Sequence, residues 1–212
     1  MVVRRKNFEM NAHAGSRLRW TTADIALGAA IGVAFGVVTW GFNFAYMIIS
    51  PILGEILVGS ASLLHAVWYM SGVVAVLLIR KPGAAVYVNV LGCFVQTIVG
   101  SSFAFTFVLI SAALQGLFAE IPFALTRYKR YSLSLSMLSG LCVALEYGVY
   151  LMLFRYQGVS FISTRGIVHM ISECVGGVVI AGIISWVLYK AIAKTGALDR
   201  FASGQQYRLS VQ

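Results

Sequence analysis

Two uncharged runs set back to back constrain this chain most. Residues 61–79 and 84–100 contain no Lys, Arg, Asp or Glu, and only Arg80-Lys81-Pro82-Gly83 separates them. Pro82 has no backbone N–H and pushes the residue before it away from helical dihedrals, while Gly83 accepts dihedrals that other residues avoid. The four residues therefore read as a turn between two helices. Its two charges have to reach water or phosphate headgroups, which places the turn at one face of a membrane. The rest of the chain repeats the pattern: it is 59% hydrophobic and 11% charged, where a soluble domain carries about 25% charged residues.

Six apolar segments follow, at 22–49, 61–79, 84–100, 103–126, 132–154 and 166–193. About 20 helical residues cross a hydrocarbon core of ~30 Å. The expected fold is an all-α membrane protein with six transmembrane helices. Residues 22–193 are expected to make one six-helix transmembrane domain, between a basic segment 1–21 and a polar tail 194–212. The first apolar segment is too long for the core of a signal peptide. Six crossings bring both termini to one side, and that side collects fourteen of the sixteen Lys and Arg; only Arg155 and Arg165 fall on the other. Basic excess marks the cytoplasmic face, so both termini are expected there. The net charge of +9 thus sits at helix ends, not on a basic face for nucleic acid. Cys93, Cys142 and Cys174 all lie within apolar runs, with neither a disulfide framework nor metal-type spacing.

With this topology, polar side chains gather in the outer half of the bilayer. Trp40 and Asn43 are joined there by His65, Trp68 and Tyr69, by Gln96, by Glu146 and Tyr150, and by His169 and Glu173. Ionisable groups at that depth normally face the bundle interior or a water-filled cavity. The i,i+4 pairs His65/Tyr69, Glu146/Tyr150 and His169/Glu173 each share a helix face, and Asn89 and Gln96, seven apart, share another. Gln115 lies near mid-membrane. The expected substrate-binding residues of one outward-opening pocket are Trp68, Tyr69, Gln96, Gln115, Glu146, Tyr150, His169 and Glu173. The plainer readings are interhelical hydrogen bonds for the amides, interfacial anchoring for the aromatics and a local hydrogen bond for His169–Glu173. Two ligands do not make a metal site, and no metal is expected. Glu120, about 10 Å from the end of its helix, is expected to fix the bundle or a partner contact.

The first segment carries two interleaved rows of small residues, Gly28/Gly32/Gly36 and Ala26/Ala30/Ala34. Such rows either pack within a bundle or dock another membrane subunit. No zinc-hydrolase, nucleophile-elbow, Walker A or C-x-x-C motif is present. The chain therefore does not read as an enzyme. It is passive, ion-coupled, or a subunit of something larger. A stand-alone ion-coupled carrier would use Glu146 or Glu173 as its proton site. An intramembrane enzyme would use His169 and Glu173 as an acid–base pair, but lacks a nucleophile.

The run Ile79-Arg80-Lys81-Pro82-Gly83-Ala84-Ala85, followed by Leu114-Gln115-Gly116-Leu117-Phe118-Ala119-Glu120, resembles the YkoE-type substrate-binding (S) component of energy-coupling-factor (ECF) transporters. The likeness covers about residues 20–195. It implies a six-helix component in a prokaryotic plasma membrane that captures a vitamin, such as thiamine or its hydroxymethylpyrimidine precursor, from outside. It also implies partner chains: a transmembrane coupling subunit, which would meet the small-residue face of the first helix, and two cytoplasmic ATPases. No cofactor is expected in this chain, since the ATP is used by those partners. In the YkoE pattern acidic residues are expected where this chain has Asn89 and Gln96. That departure removes partners for a thiazolium cation and leaves pyrimidine-like and other vitamin ligands open.

Overall fold

The computed structural model describes residues 18–100 and 104–209. The basic residues Arg4, Arg5, Lys6 and Arg17 and the expected connection through Ser101 and Ser102 lie outside that range. Among the described residues the chain is helical, with no strand. The helices are α1 (Thr22–Ile56), α2 (Ser60–Ile79), α3 (Ala84–Gly100), α4 (Phe105–Leu125), α5 (Leu133–Phe154), α6 (Thr164–Lys194) and α7 (Ala202–Leu209). Five of these are long and apolar enough to cross a membrane, and α3, at 17 residues, is a shorter apolar helix. Large apolar side chains stay exposed along the outer faces, among them Val33, Val38, Phe44 and Ile48 on α1. With the spans they make this a multi-pass membrane protein.

α2 is the axis of the bundle. Every residue from Tyr69 to Ile79 is buried, as a helix that is apolar all round requires. α1 starts at Thr21, whose hydroxyl accepts from the Asp24 N–H while the Asp24 carboxylate accepts from the Thr21 N–H at 2.9 Å, a reciprocal cap. Its glycine row faces inward. A Cβ on Gly28, Gly32 or Gly36 would lie 2.7–2.9 Å from Tyr87, Leu91 or Val95 of α3. This corrects the expectation that Gly28, Gly32 and Gly36 offer a docking face: the close approach of two backbones consumes them. Ala26, Ala30 and Ala34 lie on the exposed side of the same helix.

One end of the bundle is tied together by the basic turn. The Trp20 indole donates to the Pro82 carbonyl at 2.9 Å, and Lys81 Nζ donates to the Arg19 carbonyl at 3.0 Å. Glu120 reaches across from α4 and accepts from the N–H of Gly83 (2.8 Å) and of Ala85 (2.9 Å), and from the Tyr128 hydroxyl (2.8 Å). A carboxylate on the free N–H groups at the start of α3 offsets the helix dipole. Burial and that bond push the Tyr128 phenol up. Arg80, in the left-handed region at φ 59°, lies 4.2 Å from the Tyr131 ring centroid and donates to the Tyr189 hydroxyl at 3.0 Å. The chain returns to this end after α2, α4 and α6.

Two element boundaries and the interior of one helix depart from expectation. The segment 50–60, read as a loop, is helical to Ile56 despite Pro51. A helix tolerates one proline when only the bond to the preceding turn is lost. The polar tail folds as α7, with Ser203 donating to the Leu78 carbonyl at 2.7 Å and Leu198 buried. α6 widens into a π-helical stretch over Gly177–Ile184, where Gly140 of α5 comes into direct backbone contact with Gly177 and the Ser136 hydroxyl donates to the Gly182 carbonyl at 2.7 Å.

Candidate functional site

The polar faces of α1 to α5 converge on a cavity of about 210 Å³. It is smaller than the ~300–1,000 Å³ of pockets for drug-sized ligands, which suits a compact molecule. Of the expected binding residues, Trp68, Gln96 and Gln115 line it, and so does Asn89, which was not among them. Trp68 is held by its indole N–H, which donates to Asn43 Oδ1 at 2.8 Å, and by the edge of the Tyr46 ring at 4.8 Å between centroids. Asn89 Oδ1 accepts from the Ser71 hydroxyl at 2.7 Å, and Gln115 donates to the Ser111 hydroxyl at 2.8 Å.

None of the other five expected residues lines this cavity, and His169 instead faces the space between the far end of α1 and the α5–α6 connection. On α5 it is Tyr147 and Leu151 that face the cavity. Glu146 and Tyr150 are a third of a turn away from Tyr147 and Leu151 respectively, so they point elsewhere. Tyr150 donates to the Phe107 carbonyl of α4 at 3.0 Å, and among the described residues neither oxygen of the buried Glu146 carboxylate has a hydrogen-bond partner. Tyr69, His169 and Glu173 belong to a second layer. Glu173, fully buried, pairs with His65 Nδ1 at 2.7 Å and accepts from the Tyr69 hydroxyl at 3.2 Å. His65 then presents Nε2 to the Tyr46 hydroxyl at 2.9 Å, at the cavity surface. His169 Nε2 donates to the Gly148 carbonyl at 3.1 Å, which leaves Nδ1 to accept from the Ser62 hydroxyl. Spacing alone does not say which face of a helix meets the cavity: His65 lines it and Tyr69, four residues on, does not.

Donor atoms of His65, His169 and Glu173 lie within 4.8 Å of one another, the spacing of a metal-ligand trio. Both ring nitrogens of each histidine are already hydrogen-bonded. A cation would have to displace Tyr46 or Ser62 to find a lone pair. The arrangement is that of a closed network holding the cavity wall.

Tyr46 and Tyr156 are shared between this cavity and a second pocket of about 340 Å³, between the far end of α1 and the α5–α6 connection. Burial, and next the Glu173 carboxylate, push the Tyr156 phenol up, so it remains protonated at neutral pH. Arg155 lines the inner cavity and Arg165 the second pocket, with Arg165 5.3 Å from the Tyr156 ring centroid. The sequence marked these two as the exceptions to the charge asymmetry but gave them no role. Ser71 and Ser111 were also missed. Serine is too common in apolar helices to stand out, though Ser111 lies one turn from Gln115.

The model of the family described as "ABC-type cobalt transport system, permease component" matches residues 23–146. The chain belongs to this family. It is also 26% identical, over 189 residues, to the Bacillus subtilis (strain 168) protein YkoE, whose name carries a provisional HMP/thiamine permease assignment; the match covers 89% of this chain and 92% of that one. A crystal structure described as an S-component of an ECF transporter superposes with a TM-score of 0.82 at 25% identity, covering 91% of this chain and 95% of that one. The chain is thus a membrane transport component of the YkoE and S-component type, and not an enzyme.

Proposed function

We propose that this protein is the substrate-capture subunit of an ECF-type importer in a prokaryotic plasma membrane, taking up thiamine, its hydroxymethylpyrimidine precursor or a similar vitamin. Helices α1 to α6 all span the membrane, and both termini are cytoplasmic. Residues 22–193 form the substrate-binding unit, flanked by cytoplasmic segments 1–21 and 194–212. A transmembrane coupling subunit and two ATPases complete the importer, and the ATP is consumed on those chains.

The observation that carries the reading is the cavity itself. It offers an aromatic face in Trp68 and edge-directed donors and acceptors in Asn89, Gln96 and Gln115, the complement of a flat heteroaromatic ring. The names of the relatives point the same way. The basic turn, the start of α1 and the C-terminal helix share one end of the bundle, in keeping with a common cytoplasmic side. Mass spectrometry of small molecules released from protein purified out of vitamin-replete cells tests it. A stoichiometric pyrimidine-containing compound is expected; a lipid alone, or an unrelated solute, contradicts it.

A divalent cation is the competing cargo, favoured by the His65/His169/Glu173 spacing and by the wording of the family description. The existing hydrogen bonds of that network oppose it. Micromolar Co²⁺ is expected to leave the melting temperature of the purified protein unchanged, and a saturable rise would restore the cation reading.

A further inference from the structure

The cavity wall has polar groups but no carboxylate: none of its described lining residues is Asp or Glu. Nearby Glu173 is spent on His65 and Tyr69 in the layer behind. The lining side chain with a permanent charge is Arg155. A cation entering this space would lose hydration and meet no opposite charge, which is the costly way to bury an ion.

Asn89 supplies the second observation. It is 5% exposed and lines the cavity. The Ser71 hydroxyl occupies its Oδ1, and its Nδ2 has no hydrogen-bond partner among the described residues. Its carboxamide lies against Gly72, where a Cβ would come within 3.0 Å of both Oδ1 and Nδ2, so the missing side chain leaves the amide its seat. A buried donor without a partner is an unfavourable state, and it is relieved by an acceptor atom on a bound molecule.

Resting on the capture function proposed above, we infer that the cavity selects an uncharged heteroaromatic ligand that presents a hydrogen-bond acceptor to Asn89, and that Asn89 is the residue setting this preference against cations. Hydroxymethylpyrimidine and thiamine are the test pair, because thiamine carries the same kind of pyrimidine ring plus a permanent thiazolium charge. Equilibrium titrations use the purified full chain, with folding checked by thermal melting. Wild type is expected to bind hydroxymethylpyrimidine at least about tenfold more tightly than thiamine, because both rings can meet Asn89 but only thiamine brings a charge into a wall without a carboxylate. Asn89→Asp turns the donor into a carboxylate and is expected to shift that ratio at least about tenfold towards thiamine. Gln96→Glu puts a carboxylate on the same wall and is expected to shift the ratio in the same direction, which keeps the test alive should Asn89→Asp not fold. Equal or tighter thiamine binding by wild type, or an unchanged ratio in the folded variants, overturns the inference while leaving vitamin capture intact. Binding of neither probe by folded wild type overturns both.

Discussion

Glu120 and Glu146 are both acidic residues within apolar helices, yet their surroundings assign them opposite roles. Glu120 has three hydrogen-bond partners, two of them backbone N–H groups at the start of α3. Replacing it by Ala leaves buried donors unpaired, so Glu120→Ala is expected to destabilise the protein by about 1–3 kcal/mol, read as a lower melting temperature in detergent. Loss of ligand binding at unchanged stability would move Glu120 into the site instead. Glu146 has no hydrogen-bond partner among the described residues and does not line the cavity. Glu146→Gln is expected to leave affinity unchanged, whereas a marked loss would bring back the role expected from sequence. Trp68→Ala removes the aromatic wall and is expected to weaken binding by about 0.5–1.5 kcal/mol. Trp186→Ala is the control, since Trp186 packs beside Tyr189 at the basic end. At this scale the sequence disclosed which residues are out of place in lipid. It did not disclose Glu146's orientation, because the phase of α5 is fixed by Gly140 seating on α6 and not by polarity.

Contacts between helices depend on absent side chains as much as on present ones. Gly140 meets Gly177 backbone to backbone, and a Cβ on Gly116 would lie 2.5 Å from the Val86 Cα. Neither backbone can step aside within a packed pair, so Gly116→Ala and Gly140→Ala are each expected to cost about 1–3 kcal/mol by overpacking, measured by thermal or denaturant melts. Wild-type stability in both would mean that the helices pack more loosely than described. The two small-residue rows of α1 should separate cleanly. Gly32→Leu strikes Leu91 of α3 and is expected to impair folding. Ala30→Trp, on the exposed row, is expected to preserve ligand binding while preventing co-purification with a coupling subunit; intact co-purification would remove the docking role from this face. Helix existence was legible from apolar run length. The helical reach past Pro51 and the docking of α7 were not, because each depends on tertiary partners: Ser60 donating to the Leu53 carbonyl at 2.9 Å in one case, Ser203 on Leu78 in the other.

For the molecule as a whole, the charge asymmetry and the shared end of the bundle make one testable topology. Single cysteines at Gly158 and Gln205, both exposed, are expected to label from outside and only from inside, respectively, with a membrane-impermeant maleimide on intact cells. External labelling at position 205 would invert the protein. On the proposed function, the ligand sits in the cavity bounded by Trp68, Asn89 and Gln115. Ala112, buried on α4, lines that cavity without a polar role, so Ala112→Phe fills it while keeping the wall apolar. Titration of hydroxymethylpyrimidine into purified wild type and Ala112→Phe, with melting curves recorded on both, is the most direct measurement. Saturable binding to wild type and none to a folded Ala112→Phe is expected. Equal affinity in the two would place the ligand elsewhere and contradict this placement.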